Sequence, residues 1–161
     1  MSFLIITKKI QNHKDEKTEE KFVELEKLEV RKKEVEIDLD KLKIEVRVKL
    51  DKIEKLGDLE YNKDCEYCMK NPFTLDAIET KKKLEYDKDD VKSHLTKLDS
   101  VIHNINHLYH IRERKADLDD NINKMQKVSS LKNELDSRLV LLEEKRKNVL
   151  HQISSVEEKV I

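Results

Sequence analysis

The chain has 161 residues, 37% of them apolar and 43% Asp, Glu, Lys or Arg, which is too little apolar material for a core enclosed on all sides. One Gly, one Pro and no Trp withdraw the turn chemistry that sheets with hairpins and bulges require, and long helices remain. Thirty-four basic residues stand against thirty-five acidic ones, a formal net charge of -1 spread finely along the sequence, so no electrostatic nucleic-acid surface is marked out.

The N-terminal "MSFLIITKK" has no basic leader before its apolar run and no small-residue cleavage site after it, so a secretory signal is not expected. The longest apolar runs, "FLII" and "LVLL", fall far short of the roughly 20 residues of a membrane helix, and no membrane span is expected. Two cysteines with no others to pair with do not make the disulfide framework of a small secreted domain. An intracellular, reducing compartment, cytoplasm or nucleus, is the expectation.

From about Lys9 to Tyr61 the apolar positions fit a heptad. Leu25, Leu28, Val35, Leu39, Leu42, Val46, Ile53 and Leu56 fall at alternating steps of three and four, and Lys32 and Lys49 interrupt the row. Within this segment "EVEIDLDKLKIEVRVKLD" also alternates apolar with polar, as a half-buried strand does. The helix reading prevails because a strand of that length needs terminal turns and partner strands, and the chain supplies neither. Val23, Val30, Ile37 and Ile44 form a second stripe, seven residues apart and roughly opposite the first, where a further coiled-coil partner could dock.

A second long helix is predicted to open at "PFTLDAIE", with Thr74 as N-cap and Asp76 favourably placed in the first turn. Its row runs through Leu75, Ile78, Val91, Leu95, Leu98, Ile102, Ile105, Tyr109 and Ala116. It continues through Leu118, Ile122, Met125, Val128, Leu135, Leu139, Leu142, Val149, Ile153 and Val156 after a register shift of about one residue near Ala116. Ser129 or Ser130 could instead cap a third helix that folds back on the first two.

Two amphipathic segments joined by about a dozen residues, with Gly57, Asn71 and Pro72 nearby, predict an all-α fold: a long antiparallel coiled-coil hairpin with a C-x-x-C turn at its tip. The expected limits are 1–61 for the first arm, 62–73 for the turn and 74–161 for the second arm, a break near 117–130 being the alternative. The second arm exceeds the first by roughly 34 residues, or about 50 Å of helix. Three arrangements would cover the excess: a fold-back, another chain, or an upstream helix of a longer protein. The last is favoured, because the excess keeps a good heptad row.

The tip, "DCEYCMKNPF", holds both cysteines and the proline. Cys65 and Cys68 are three apart, a spacing that lets two thiolates of one tight turn bind the same tetrahedral metal. Structural zinc takes four ligands, so the chain carries half a site. The next histidine, His94, lies on the order of 40 Å away along a straight helix and cannot complete it. An identical pair on a second chain can, which makes one Zn shared between two chains a homodimer contact. Lys63 and Lys70 flank the pair and would offset the charge of four thiolates. Two other readings stay open: a redox dithiol, which normally sits beside a βαβ unit that this chain lacks, and incidental loop cysteines.

His103, His107 and His110 include an i, i+4 pair able to face a metal, but no third ligand accompanies them, and a solvated or seam-edge role is expected. Tyr61, Tyr67 and Phe73 around the tip are expected to be packing residues that close the hairpin end rather than a binding surface. No nucleophile has a base beside it and no glycine loop could cradle phosphate, so the chain is not expected to be an enzyme.

The succession of heptad arm, "DCEYCMKNPFTLDA" and return arm resembles the zinc-hook apex of the structural-maintenance-of-chromosomes-like ATPases of DNA double-strand-break repair. The resemblance covers the cysteine spacing and the helix cap that follows. It maps the family's zinc ligands onto Cys65 and Cys68 alone, with Glu66 where the family commonly has Pro. It implies zinc-mediated dimerisation and tethering of two coiled-coil arms, any ATPase activity lying in parts of a longer protein. The alternative function is a metal-independent coiled-coil scaffold.

Overall fold

A computed structural model of the chain describes residues 2–58 and 63–160. Among these residues five helices follow one another: α1 (Phe3–Asp15), α2 (Thr18–Asp58), α3 (Glu66–Met69), α4 (Pro72–His107) and α5 (Ile111–Val160). Among the described residues there is no strand, so the fold is all-α. The alternating stretch from Glu34 to Asp51 lies wholly inside α2. Tyr61 and the side chain of Leu56 lie outside the described residues.

The chain divides into two units, Met1–Glu20 with His110–Ile161, and Lys21–Tyr109. In the first, α1 packs on α5. α1 ends where Lys17 turns into the left-handed region at φ 55, and the Glu16 and Lys17 amides bond back to the Asn12 and Lys14 carbonyls at 3.0 and 3.1 Å. A left-handed residue closes a helix without breaking its terminal bonds, and glycine is the usual occupant. Here lysine takes it, so no sequence signal announced the stop. Ile6, Ile111 and Leu118 form the small apolar core of this unit, beside the buried His13, Thr18 and Asn121.

In the second unit the covered row of α2 is Leu25, Leu28, Lys32, Val35, Leu39, Leu42, Val46, Lys49 and Ile53, an unbroken series of steps of three and four. Lys32 and Lys49 therefore stand in the row, as the sequence indicates. The second stripe of α2 is uncovered: Val30 is 57% and Ile44 65% exposed.

On α4 the covered row is Thr74, Ala77, Leu84, Asp87, Val91, His94, Leu98, Val101 and Ile105. Leu75, Leu95 and Tyr109, expected in it, are 51%, 48% and 65% exposed. Polar side chains explain the correction, since Thr74, Asp87 and His94 hold covered positions and an apolar count alone is drawn to the neighbouring row. Two bonds tie α2 to α4: Lys49 to Asp87 at 2.6 Å and Lys52 to Asp76 at 2.8 Å. The later residue of α2 reaches the earlier residue of α4, the order that oppositely directed chains produce.

Helix limits also differ from the sequence reading. Gly57 lies inside α2 with no positive φ, so it makes no turn. α4 is capped by Asn71, whose side chain accepts from the Phe73 amide at 3.0 Å with Pro72 in the first turn, while Thr74 is 4% exposed inside the helix. Pro at the first helical position needs no amide partner, which makes Asn-Pro the stronger start. α5 runs uninterrupted across 117–130, and the break falls instead at 108–110, where the Leu108 amide bonds the Ile105 carbonyl at 2.9 Å.

Candidate metal half-site

Cys65 precedes α3 in an extended conformation (φ -87, ψ 112), and its carbonyl accepts from the Met69 amide at 3.0 Å. Cys68 lies within the single turn of α3, and its own carbonyl accepts from the Asn71 amide at 3.3 Å. The Cys68 side chain hydrogen-bonds to that of Cys65 across the first turn, so the two side chains are neighbours. Both are free thiols, each half-buried. Met69, also half-buried, lines a cavity of about 430 Å³ with Ile53, Ala77 and Ile78, and α3 packs on α4.

The Cys65 thiol is held below its ordinary pKa. The backbone N–H of Cys68 donates to the sulfur, the Cys68 side chain and the Tyr67 N–H add to this, and partial desolvation opposes them. Hydrogen bonds to a sulfur favour its thiolate, the form that ligates metal and attacks electrophiles. The pair thus offers two soft donors converging from one turn, which fits two of the four positions of a tetrahedral zinc site. Among the described residues no three His, Cys, Asp or Glu side chains gather into a metal site.

The surroundings differ from expectation in two respects. Lys70 is engaged by Glu66 at 2.5 Å rather than held for the sulfurs. Tyr67 and Phe73 are 85% and 77% exposed rather than packed, while Cys65, Cys68 and Met69 beside them are half-buried. His94, half-buried, bonds through Nδ1 to the Asp90 carbonyl at 2.8 Å. His103 and His107 meet edge to face on the surface with their Nε2 atoms 3.0 Å apart, and among the described residues no third ligand joins them.

One constellation was missed altogether. His13 Nδ1 lies 3.0 Å from Thr18 Oγ1, and its Nε2 lies 2.9 Å from Asp117 Oδ2. Hydroxyl, imidazole and carboxylate in series could suggest a nucleophile and its base, but Thr18 is fully buried and no substrate reaches its oxygen. The chain ties the end of α1 to α5 instead, with Glu16 paired to Arg114 and Glu19 to Lys115 alongside. Asn121 adds a bond from its amide to the Asp117 carbonyl at 2.7 Å, while its own Oδ1 is buried without a partner. Residues more than a hundred positions apart meet here, which no local pattern could foretell.

Compared with protein-family models, with curated proteins and with solved structures, the chain matches none. No helix among the described residues is long and apolar enough to cross a membrane.

Proposed function

We propose that the chain is a zinc-hook tether: α2 and α4 form an antiparallel coiled-coil hairpin, α3 is the turn at its tip, and Cys65 and Cys68 supply half of a zinc site. The same pair on a second chain supplies the other half. The observation that carries the reading is the pair itself, two half-exposed thiols on one turn with backbone N–H groups of Cys68 and Tyr67 bonded to the Cys65 sulfur and, among the described residues, no third ligand beside them. Zinc, when bound, contributes the folding and association energy of a four-coordinate structural site. The residues of the chain do the rest. Cys68 N–H lowers the proton affinity of its partner thiol, the packing of α3 on α4 anchors the turn, and the paired helices give the turn a stiff mount.

The role that follows is mechanical rather than catalytic: joining two long helical arms. A place in DNA repair or chromosome organisation rests on the resemblance of "DCEYCMKNPFTLDA" alone. Cobalt titration of the reduced chain tests the site. Thiolate-to-metal absorption should saturate at half an equivalent per chain and vanish in Cys65→Ser. Saturation at one equivalent, or no such band, overturns the reading.

A metal-independent coiled-coil scaffold is the second reading, and one observation favours it. The later part of α5 carries a long uncovered apolar row, an association surface that needs no metal.

A further inference from the structure

Beyond Gln126 nearly every side chain of α5 is exposed, including apolar ones at coiled-coil spacing: Leu135, Leu139, Leu142, Val149, Ile153 and Val156 are between 50% and 60% exposed. Such a row extends over about three heptads, enough to specify a coiled coil, and an isolated helix with this stripe gains most of its stability from whatever covers it. The charges beside the row say what that is. Taking Leu139 and Ile153 as positions a, and Leu135, Leu142, Val149 and Val156 as positions d, the e row carries Asp136, Glu143 and Glu157. The g row carries Arg138, Lys145 and Lys159. Leu150 also stands in e, and Leu131 and Gln152 in g, so every charge of the e row is acidic and every charge of the g row is basic.

We propose that residues 128–160 of α5 dock, parallel and in register, on the same segment of a second copy of this chain. In a parallel two-stranded coiled coil the g residue of one helix meets the e residue five positions on in the other, which sets Arg138 against Glu143 of the second copy and the reverse. In an antiparallel pair e meets e and g meets g, acid against acid and base against base. Among the g–e contacts of the segment Arg138–Glu143 is the oppositely charged one, made twice by the symmetry of a homodimer, and with the like charges of each flank it favours the parallel pair of copies. Lys132 and Arg146 fall at a positions, where a basic residue costs stability but restricts register and strand number, its long stem covering apolar surface while the charge reaches water. This contact is separate from the cysteines and does not rest on the zinc reading.

The test uses the full chain carrying Cys65→Ser/Cys68→Ser, with chelator present, in sedimentation equilibrium. A dimer is expected without metal. Arg138→Glu and Glu143→Arg should each weaken it by about five-fold, since each puts like charges together twice in a symmetric dimer, and the two substitutions together should restore it. Adding Leu142→Cys to the cysteine-free chain should give a disulfide between the two copies on mild oxidation, because in-register parallel helices bring that position to itself. The three positions 138, 142 and 143 are exposed, so these substitutions remove no packing within the chain itself. A monomer overturns the proposal. So does a dimer that the single charge reversals strengthen, or one that forms no disulfide through position 142, for those outcomes mark an antiparallel contact.

Discussion

Lys49 Nζ lies 2.6 Å from Asp87 Oδ2, with both residues on the covered rows of their helices and Asp87 only 8% exposed. The lysine that interrupts the apolar row of α2 is thus answered by an acid that interrupts the row of α4. Removing one partner from a largely covered pair leaves the other charge uncompensated, whereas replacing both with apolar groups restores an ordinary seam.

Lys49→Met should therefore cost about 1–3 kcal/mol in urea unfolding, and Asp87→Leu a similar amount, while the double variant falls close to the wild type. Lys52→Ala is the control. Its pair with Asp76 is half exposed on both sides, and its loss should change stability by no more than about 1 kcal/mol. Additive losses in the double variant would mean that the seam pair is not coupled.

Asn71→Ala should destabilise the start of α4 by about 1 kcal/mol and speed hydrogen exchange at the Phe73 amide, which its side chain accepts. Asn71→Ser should preserve both. Unchanged exchange at Phe73 in the alanine variant would contradict the cap.

Asp117 sits below the usual carboxylate range, chiefly because the His13 ring bonds to its oxygen, with Lys9 and Asn121 adding smaller effects against some desolvation. A depressed carboxylate pKa means that the stabilisation is present above the unfolded value, about 4, and is lost as the pH falls through the folded value. Because the side chain is 49% exposed the contribution is modest, about 1 kcal/mol or less. The stability difference between wild type and Asp117→Asn should accordingly be present at pH 7 and shrink by pH 3. A difference that stays constant over that range would show that the His13 contact does not depend on the charge.

Cys65 should react below the ordinary thiol range even without its neighbour's side chain. In Cys68→Ser the backbone N–H at position 68 remains, so the alkylation rate of Cys65 plotted against pH should still rise earlier than in an unfolded control. Coincident profiles would remove the hydrogen bond from the account.

The parts of the fold written in short-range pattern were legible in the sequence, and the parts made by polar exceptions or distant meetings were not. The covered row of α2 could be read because seven of its nine positions are apolar and recur at steps of three and four. The row of α4 misled because Asp87 and His94 hold places that a count of apolar residues skips. The turn bearing Cys65 and Cys68 stood out as the break between two helical patterns, but its cap was assigned to Thr74 where Asn71 followed by Pro72 is chemically better. Lys17 ends a helix in a conformation that glycine usually takes, and "LYHI" interrupts the chain without any turn residue, so neither stop had a signal. Ser129 and Ser130 looked like a cap yet sit exposed inside α5, where the apolar row continues past them without a change of period.

Zinc X-ray absorption on the purified, reduced full chain, combined with its metal content, addresses the shared site most directly. Half a zinc per chain, surrounded by four sulfurs at about 2.3 Å, is the expected result, because only two chains together can supply that many thiolates. A full zinc per chain with two sulfurs and two lighter ligands, or no zinc retained after dialysis, would contradict it.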